Sequence, residues 1–475
     1  MIKKINTFVI LLFTITLFAI ENPKTNIKLD KHYKIENTFS GDLSNENSFH
    51  LIFTKNKKSK KFDVFTYIFD GTSVTELKPI ESKKKLSVVS FHKKNNTLSL
   101  LLSYKNKGKK FLKEYTVDTT NNEIIASEAM NHEDFVASFR EKNRSVLIYK
   151  TDETLVFKNF TSLQTVKTAT YTFSKKDDYI KEYFEDESVE AVKTDEFVAN
   201  GAIGTLRSYL KGDDIFFTKE NQKKNTTALL KLSLNSERIE GNNIKIFTNK
   251  NNKKRFKKHT SYYNNDHLFL LGLNKKTGTI RIFDTNTSKE LSSITIDSSI
   301  KEYIKADSKF SGIEKFLKKA GKNRFNPTIT VNKTTTENLK VRIDYVDKDY
   351  NYHYNWWWHH HQFMMWQNHM QMQQINFSRP GGFGPSQPSE LPFYLAKEQK
   401  QKRFFEIIID SNGLLNNEAN FETTFKDIDK KKHIDNLENK KKIKHKSSCF
   451  LDNSFRYIGY NKRQKIFFFK TETLK

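Results

Sequence analysis

A chain of 475 residues that is 36% hydrophobic and 13% aromatic, with 40 Phe and 19 Tyr, carries too much core-forming, strand-prone material for a disordered protein. Its net charge of +27 comes from lysine, because only 12 of the 82 basic residues are arginine. That argues against a surface built for bidentate phosphate recognition, and for solvated loops or attraction to an anionic surface.

At the N-terminus, MIKK and INTFVILLFTITLFAI have the basic and apolar regions of a secretory signal, with Ala19 as the small residue at the cleavage position. The pattern predicts a signal peptide over 1–19 and an exported mature chain over 20–475. The apolar run is short for a membrane span, and no later segment offers about 18 continuous apolar residues. The single cysteine, Cys449, excludes an intramolecular disulfide, and in SSCFLDN it reads as a small buried hydrophobe. An exported chain without disulfides fits a bacterial periplasm or exterior. Nucleic acid is then not an expected partner. The lysine runs KNKKSKK (55–61), NKNNKKRFKKH (249–259) and NKKKIKHK (439–446) read as solvated loops or as contacts to an anionic envelope surface.

From residue 49 the chain repeats one grammar of strand, turn, strand, turn, strand. FHLIFTKN, KFDVFTYIFDG and SVTELKPI fill 49–80. LSLLLSYKN, KFLKEYTVDTTNN and EIIASEA fill 98–129. SVLIYKTD, TLVFKNFTS and VKTATYTF fill 145–173. DIFFTKEN, ALLKLSLNSE and NNIKIF fill 214–247. The clearest unit is HLFLLGLNKKTGTIRIFDTNTSKELSSITI, 267–296. PFYLAKEQ, KRFFEIIIDSNG and ANFETTF follow over 392–425, then SFRYIGYNK and KIFFFKTETLK over 454–475. A further strand often precedes each triple, as KLSVVSF (85–91) and DFVASFR (134–140) do. Asp70, Asp118, Thr161, Asn235, Asp284 and Asp410 close the middle strands, where their side chains can bond the backbone of the turn they begin.

Four short strands at a period of about 45 residues is the grammar of a β-propeller. The repeat resembles WD-repeat and related bacterial propellers over nearly the whole mature chain, TIRIFDTNTSKEL most of all, although the Gly-His and Trp-Asp dipeptides of true WD repeats are absent. The resemblance implies an all-β propeller, and the count of seven units predicts seven blades, with six or eight as alternatives. It carries over no activity and no functional residue. The last unit stops where its outer strand should begin, and NIKLDKHYKI (26–35) is a spare strand that can complete it and close the ring.

Three stretches interrupt the repeat. One spans 175–205. Another, 300–325, contains SGIEKFLKKAGK, where Ile313, Phe316 and Leu317 share a helical face and a glycine follows. The third, 339–392, is an insertion in the sixth unit. Val341, Ile343 and Tyr345 alternate with polar residues, and Tyr350, Tyr352, Tyr354 and Trp356 continue that aromatic face. WWWHHHQFMMWQNHMQM (356–372) then holds all four tryptophans and four of the six methionines.

If this part is helical, His361, Met365, His369 and Met372 fall on one stripe. Two imidazoles and two thioethers suit copper or another late transition metal, with His353, His359 and His360 nearby. The same composition suits packing against the scaffold or plugging its channel. Tyr350, Tyr352, Tyr354, Trp356, Trp357, Trp358 and Trp366 equally suit a binding surface. Asp347-Lys-Asp349-Tyr-Asn351 begins like a calcium loop but lacks its later Gly and Glu.

No nucleophile elbow, phosphate loop, dinucleotide fingerprint or zinc-protease helix is present in the sequence. The favoured reading is a non-catalytic, exported binding or scaffold protein of the bacterial cell envelope. Its partner is a protein or another envelope component, and 339–392 is its contact or plug. The alternative is a metal-binding protein, or a propeller enzyme with a site at the channel mouth.

Overall fold

A computed structural model describes residues 25–347, except 45, 142, 163–164, 174–189, 193–205, 236, 240–243, 249–255, 307 and 309, and residues 404–474, except 418–419, 425–427 and 429. The described residues form seven sheets, nearly all antiparallel. They fall into two compact units. One holds the described residues of 1–86, 118–124 and 432–475. The other holds those of 87–117 and 125–431.

The first unit contains the chain's first and last sheets. Sheet 1 is a meander of Tyr33–Asp42, Ser48–Asn56, Phe62–Phe69 and Val74–Ser82. Sheet 7 is built from Ile443–Leu451, Ser454–Asn461 and Ile466–Thr473. Its fourth strand is Asn26–Ile27, from the other end of the sequence, with Asn26 opposite Phe468 and Ile27 opposite Phe467. The segment 26–35 is therefore two elements rather than one: two residues complete sheet 7, and Tyr33 begins sheet 1. Alternating apolar residues make the joint. Ile52, Phe65, Tyr67 and Phe69 pack with Ile27, Ile458, Phe467 and Phe469 in one buried cluster.

The second unit contains five sheets that pack in chain order. Sheet 2 spans Ser87–Lys94, Thr97–Asn106 and Lys109–Asp118, edged by Ile124–Ala126 and Met130–Asn131. Sheet 3 spans Phe135–Glu141, Arg144–Lys150, Thr154–Ser162 and Thr165–Thr172. Sheet 4 spans Leu206–Lys211, Asp214–Asn221, Thr226–Ser233 and Ile244–Thr248. Glu190–Val192 adds a parallel edge strand to it. Sheet 5 spans Lys258–Asn264, His267–Leu273, Gly278–Asp284 and Glu290–Ile296. Leu147, Tyr149 and Phe160 of sheet 3 pack with Val89, Leu101 and Leu112 of sheet 2. Val146, Ile148 and Phe157 of sheet 3 join Ile215, Phe217 and Leu230 of sheet 4. Strands covered on both faces read as near-continuous apolar runs, which is why HLFLLGL has no polar face.

Sheet 6 departs from the expected order. Its strands are Phe325–Lys333, Leu339–Asp347 and Phe405–Ile409, and its outer strand is Lys305–Ala306, which precedes the other three in sequence. The expectation that ANFETTF would be a strand of this unit is corrected. Its described residues form no strand: Thr423 makes an isolated bridge to Thr334, flanked by backbone bonds from Thr335 to Glu422 and from Thr424 to Lys333. PFYLAKEQ lies outside the described residues. The helix expected after residue 311 is present as α1, Ile313–Ala320, with Ile313, Phe316, Leu317 and Ala320 buried. Gly321 follows because a Cβ there would come within 2.9 Å of the backbone of Asn274 and Lys275.

Four of the expected turn residues act as predicted. Asp70 Oδ1 accepts from the backbone N–H groups of Thr72 and Ser73, both at 2.7 Å. Asp118 Oδ1 accepts from Thr120 and Asn121, Asp284 Oδ1 from Thr287, and Asp410 Oδ1 from Asn412 and Leu414. The backbone bonds from Asn121 and Thr120 hold the Asp118 carboxyl below its ordinary range.

Candidate functional site

The insertion singled out by sequence is rooted in sheet 6. The chain leaves that sheet at Asp347 and re-enters at Phe405. Across this gap the ladder is undisturbed, with Leu339 opposite Ile409, Val341 opposite Ile407 and Ile343 opposite Phe405. Two neighbouring strands thus form a hairpin whose connection is 57 residues long. The first nine residues of 339–392 belong to the sheet, so the excursion proper begins after Asp347.

The root is a rigid aromatic platform. The Phe316 ring of α1 lies 5.3 Å from Tyr345 and meets Phe405 edge-on at 5.1 Å. Phe310 lies 5.7 Å from Phe405, and Phe325 lies 5.0 Å from Tyr345. Edge-to-face contacts at these distances add to the area they bury and fix ring orientation. One set of alternating residues, Val341, Ile343 and Tyr345, joins this apolar cluster. The other set is charged. Lys340, Arg342 and Asp344 are buried, as is Glu406 on the next strand. Arg342 Nε donates to Glu406 Oε1 at 2.7 Å, Lys340 Nζ is 3.7 Å from the same oxygen, and the Arg342 guanidinium sits 4.0 Å over the Phe404 ring. Both ends of the excursion are therefore pinned.

His353, His359, His360, His361, Met365, His369 and Met372 lie outside the described residues, and so do Tyr350, Tyr352, Tyr354, Trp356, Trp357, Trp358 and Trp366. Residues 1–24, Asp349 and Asn351 lie outside them too. Among the described residues no three His, Cys, Asp or Glu side chains are placed to hold a metal ion. No described helix is long and apolar enough to cross a membrane. Cys449 is a buried thiol, in no disulfide, on the first strand of sheet 7.

Sequence reasoning missed the polar seams between sheets. In the first unit, Ser40 Oγ lies 2.7 Å from His50 Nδ1 and 2.7 Å from Ser447 Oγ, and Ser48 Oγ lies 3.1 Å from His50 Nε2. Ser48 donates to the Phe69 carbonyl at 3.2 Å, which fixes the donor order. His50 Nε2–H donates to Ser48, Ser40 donates to His50 Nδ1, and Ser447 donates to Ser40. The imidazole is neutral in this chain. Burial, with the positive charge of Arg456 nearby, pushes its pKa down to about 3. A serine hydrogen-bonded to a histidine resembles a nucleophile and its base. Here Ser40 is buried, His50 is fully buried, and the second ring nitrogen faces a hydroxyl rather than a carboxylate. The pair is a pin between sheets 1 and 7.

Two further seams repeat the idea in the second unit. Ser145 Oγ of sheet 3 lies 2.8 Å from Ser90 Oγ and 3.2 Å from His92 Nδ1 of sheet 2. Arg207 and Glu220 of sheet 4 form a buried ion pair. Arg207 Nη2 donates to Thr260 Oγ1 at 3.0 Å, and Glu220 Oε1 accepts from the backbone N–H and the hydroxyl of Ser261 at 2.9 and 2.8 Å. The partners Ser40 and Ser447 are 407 residues apart, so no local motif announces them. The one available signal is a polar residue inside an apolar run, as His50 is in FHLIF.

The meander sheets are those of β-propeller blades. No protein-family model and no curated protein matches the chain. Among solved structures it is similar to the WD40 domain of SCAP from fission yeast, at 8% identity and a TM-score of 0.26 over 68% of this chain and 89% of that one. It is also similar to the β-propeller domain of the Trilobed protease from Pyrococcus furiosus, at 8% identity and a TM-score of 0.28 over 66% and 84%. A putative dipeptidyl aminopeptidase IV from Bacteroides ovatus gives 10% identity and a TM-score of 0.31 over 68% and 47%. The propeller assignment rests on the topology of the sheets themselves.

Proposed function

We propose that the chain is an exported, non-catalytic binding scaffold of a bacterial cell envelope, a single seven-bladed propeller domain whose contact element is the excursion out of sheet 6. The supporting observation is the root of that excursion. A 57-residue connection leaves and rejoins adjacent strands without disturbing their register, and it stands on an aromatic and ionic platform. Connections this long in compact folds are usually either functional or linker segments. The aromatic-rich composition of 350–366 is that of a protein contact surface.

The test is photo-crosslinking in cells from a probe at Trp357 or Trp366, beside a control probe at Lys107 in a turn of sheet 2. The reading predicts a discrete envelope-protein adduct from the first two positions alone. The same adducts from Lys107, or none from either tryptophan, would contradict it.

The spacing of His361, Met365, His369 and Met372 supports a second reading, tight binding of copper or a related metal. It predicts that His361→Ala/His369→Ala weakens Cu(I) affinity by at least about tenfold. The scaffold reading predicts no change.

A further inference from the structure

Within the first unit, the strand connections at one end differ sharply in charge from those at the other. The segments 28–34, 57–61, 83–85 and 462–465 contain thirteen Lys or Arg and a single acid, Asp30. The turns at the opposite ends of the same strands, 43–47, 70–73 and 452–453, contain Glu46, Asp70 and Asp452 and no basic residue, although His433 and Lys440 from the connection 432–442 reach Glu472 near the last of them, at 3.6 and 3.4 Å.

Pairing brings the basic segments together. Lys57 N donates to the His32 carbonyl at 2.9 Å, joining 28–34 to 57–61. Phe62 stands opposite Ser82, which sets 83–85 beside 57–61. Ile27 stands opposite Phe467, so Lys28 runs on beside the 462–465 turn. All the basic residues except the half-buried Lys85 are exposed. Glu36 pairs with Lys34 at 2.9 Å and Lys85 at 3.6 Å, and Glu81 pairs with Lys61 at 3.3 Å. Those acids offset only part of the positive charge.

The geometry points to this end as an electrostatic docking face for an anionic bilayer surface. The chemistry of the face selects that partner over other polyanions. Twelve of its thirteen basic residues are lysine, Arg463 being the exception, so it lacks the planar forks that grip individual phosphodiesters. Single-stranded nucleic acid binders offer stacking rings. The one aromatic residue in these segments, Tyr33, is half-buried and packs edge-on to Phe65 at 5.0 Å. Flexible point charges carried on several neighbouring turn tips suit a diffuse, laterally mobile layer of negative headgroups. Each such lysine adds to the attraction within a Debye length of the surface. This face does not depend on residues 348–403, so it stands or falls separately from the scaffold reading.

The test is co-sedimentation of the full chain with vesicles of neutral phosphatidylcholine, or of phosphatidylcholine with about one third phosphatidylglycerol, the fraction setting the surface potential. One variant is Lys58→Glu/Lys60→Glu/Lys462→Glu/Lys465→Glu. A charge-matched control is Lys275→Glu/Lys276→Glu/Lys315→Glu/Lys318→Glu, at exposed sites of the second unit. The apolar run 5–20 is common to all three proteins, so its contribution cancels between them, and the neutral vesicles report it separately. Melting curves confirm that both variants fold.

The expected result is partitioning onto the anionic vesicles only, lost at about 1 M salt, where the Debye length falls to about 3 Å. Partitioning of the first variant should drop by at least about tenfold and that of the control by far less. Equal binding to neutral vesicles, equal losses in both variants, or tighter binding to single-stranded DNA than to the vesicles would overturn the proposal.

Discussion

His50 shows how much a single buried side chain can hold. It spans two strands of sheet 1 and reaches sheet 7 through Ser40 and Ser447. Ser40→Ala leaves Nδ1 without its donor in a dry seam, so the variant should lose about 1–3 kcal/mol in urea unfolding. A variant as stable as the parent would contradict that donor order. The same burial sets a pH dependence. Burial lowers the pKa of His50 to about 3, and those of His92 and His132 to about 4. Unfolded histidine titrates near 6.5, so below that pH the unfolded chain binds protons that the folded chain refuses. Stability is therefore fully present above about pH 6.5 and falls as pH drops toward 4, by about 1–2 kcal/mol per histidine at pH 5. The urea midpoint should decline between pH 7.5 and 5, and a flat profile would contradict the neutral, buried state of these rings.

At the scale of elements, the platform under the excursion is the place where packing positions the candidate site. Phe316 touches both Tyr345 and Phe405, the residues flanking the exit and the return. Phe316→Ala should cost about 3–5 kcal/mol and raise hydrogen exchange in 341–345 and 405–409 more than in sheet 1. Unchanged local exchange would show that α1 does not brace the root. The elements read most clearly in the sequence were those whose pattern is local. HLFLLGL, TIRIF and ELSSITI are strands within a residue or two of their expected limits, and α1 was legible from Ile313, Phe316 and Leu317. Sheet 6 was misread because its order is not the sequence order. Lys305–Ala306 supplies the outer strand from upstream, and two residues carry no period from which that could be read.

For the whole molecule, the informative pairing joins the ends of the chain. Asn26–Ile27 lies against Ile466–Thr473, pairing with Phe468 and Phe467, and forms the edge of the last sheet on that side. That partner was legible because NIKLDKHYKI precedes the first complete repeat as a spare strand. The polar seams were not legible, since they depend on residues brought together from distant sheets. If the sheets are a self-sufficient scaffold, the excursion is a separable contact element. Loop-closure entropy makes that claim quantitative. Shortening a 57-residue connection to about eight residues is roughly three halvings, worth about 0.6 kcal/mol each. The direct measurement is calorimetry of a variant in which 350–402 is replaced by a four-residue Gly-Ser linker. A separable excursion predicts one cooperative transition, at the parent melting temperature or a few degrees above it. Loss of that transition, or a fall of more than about 10 °C, would show that the excursion is part of the core and contradict its role as a separate contact element.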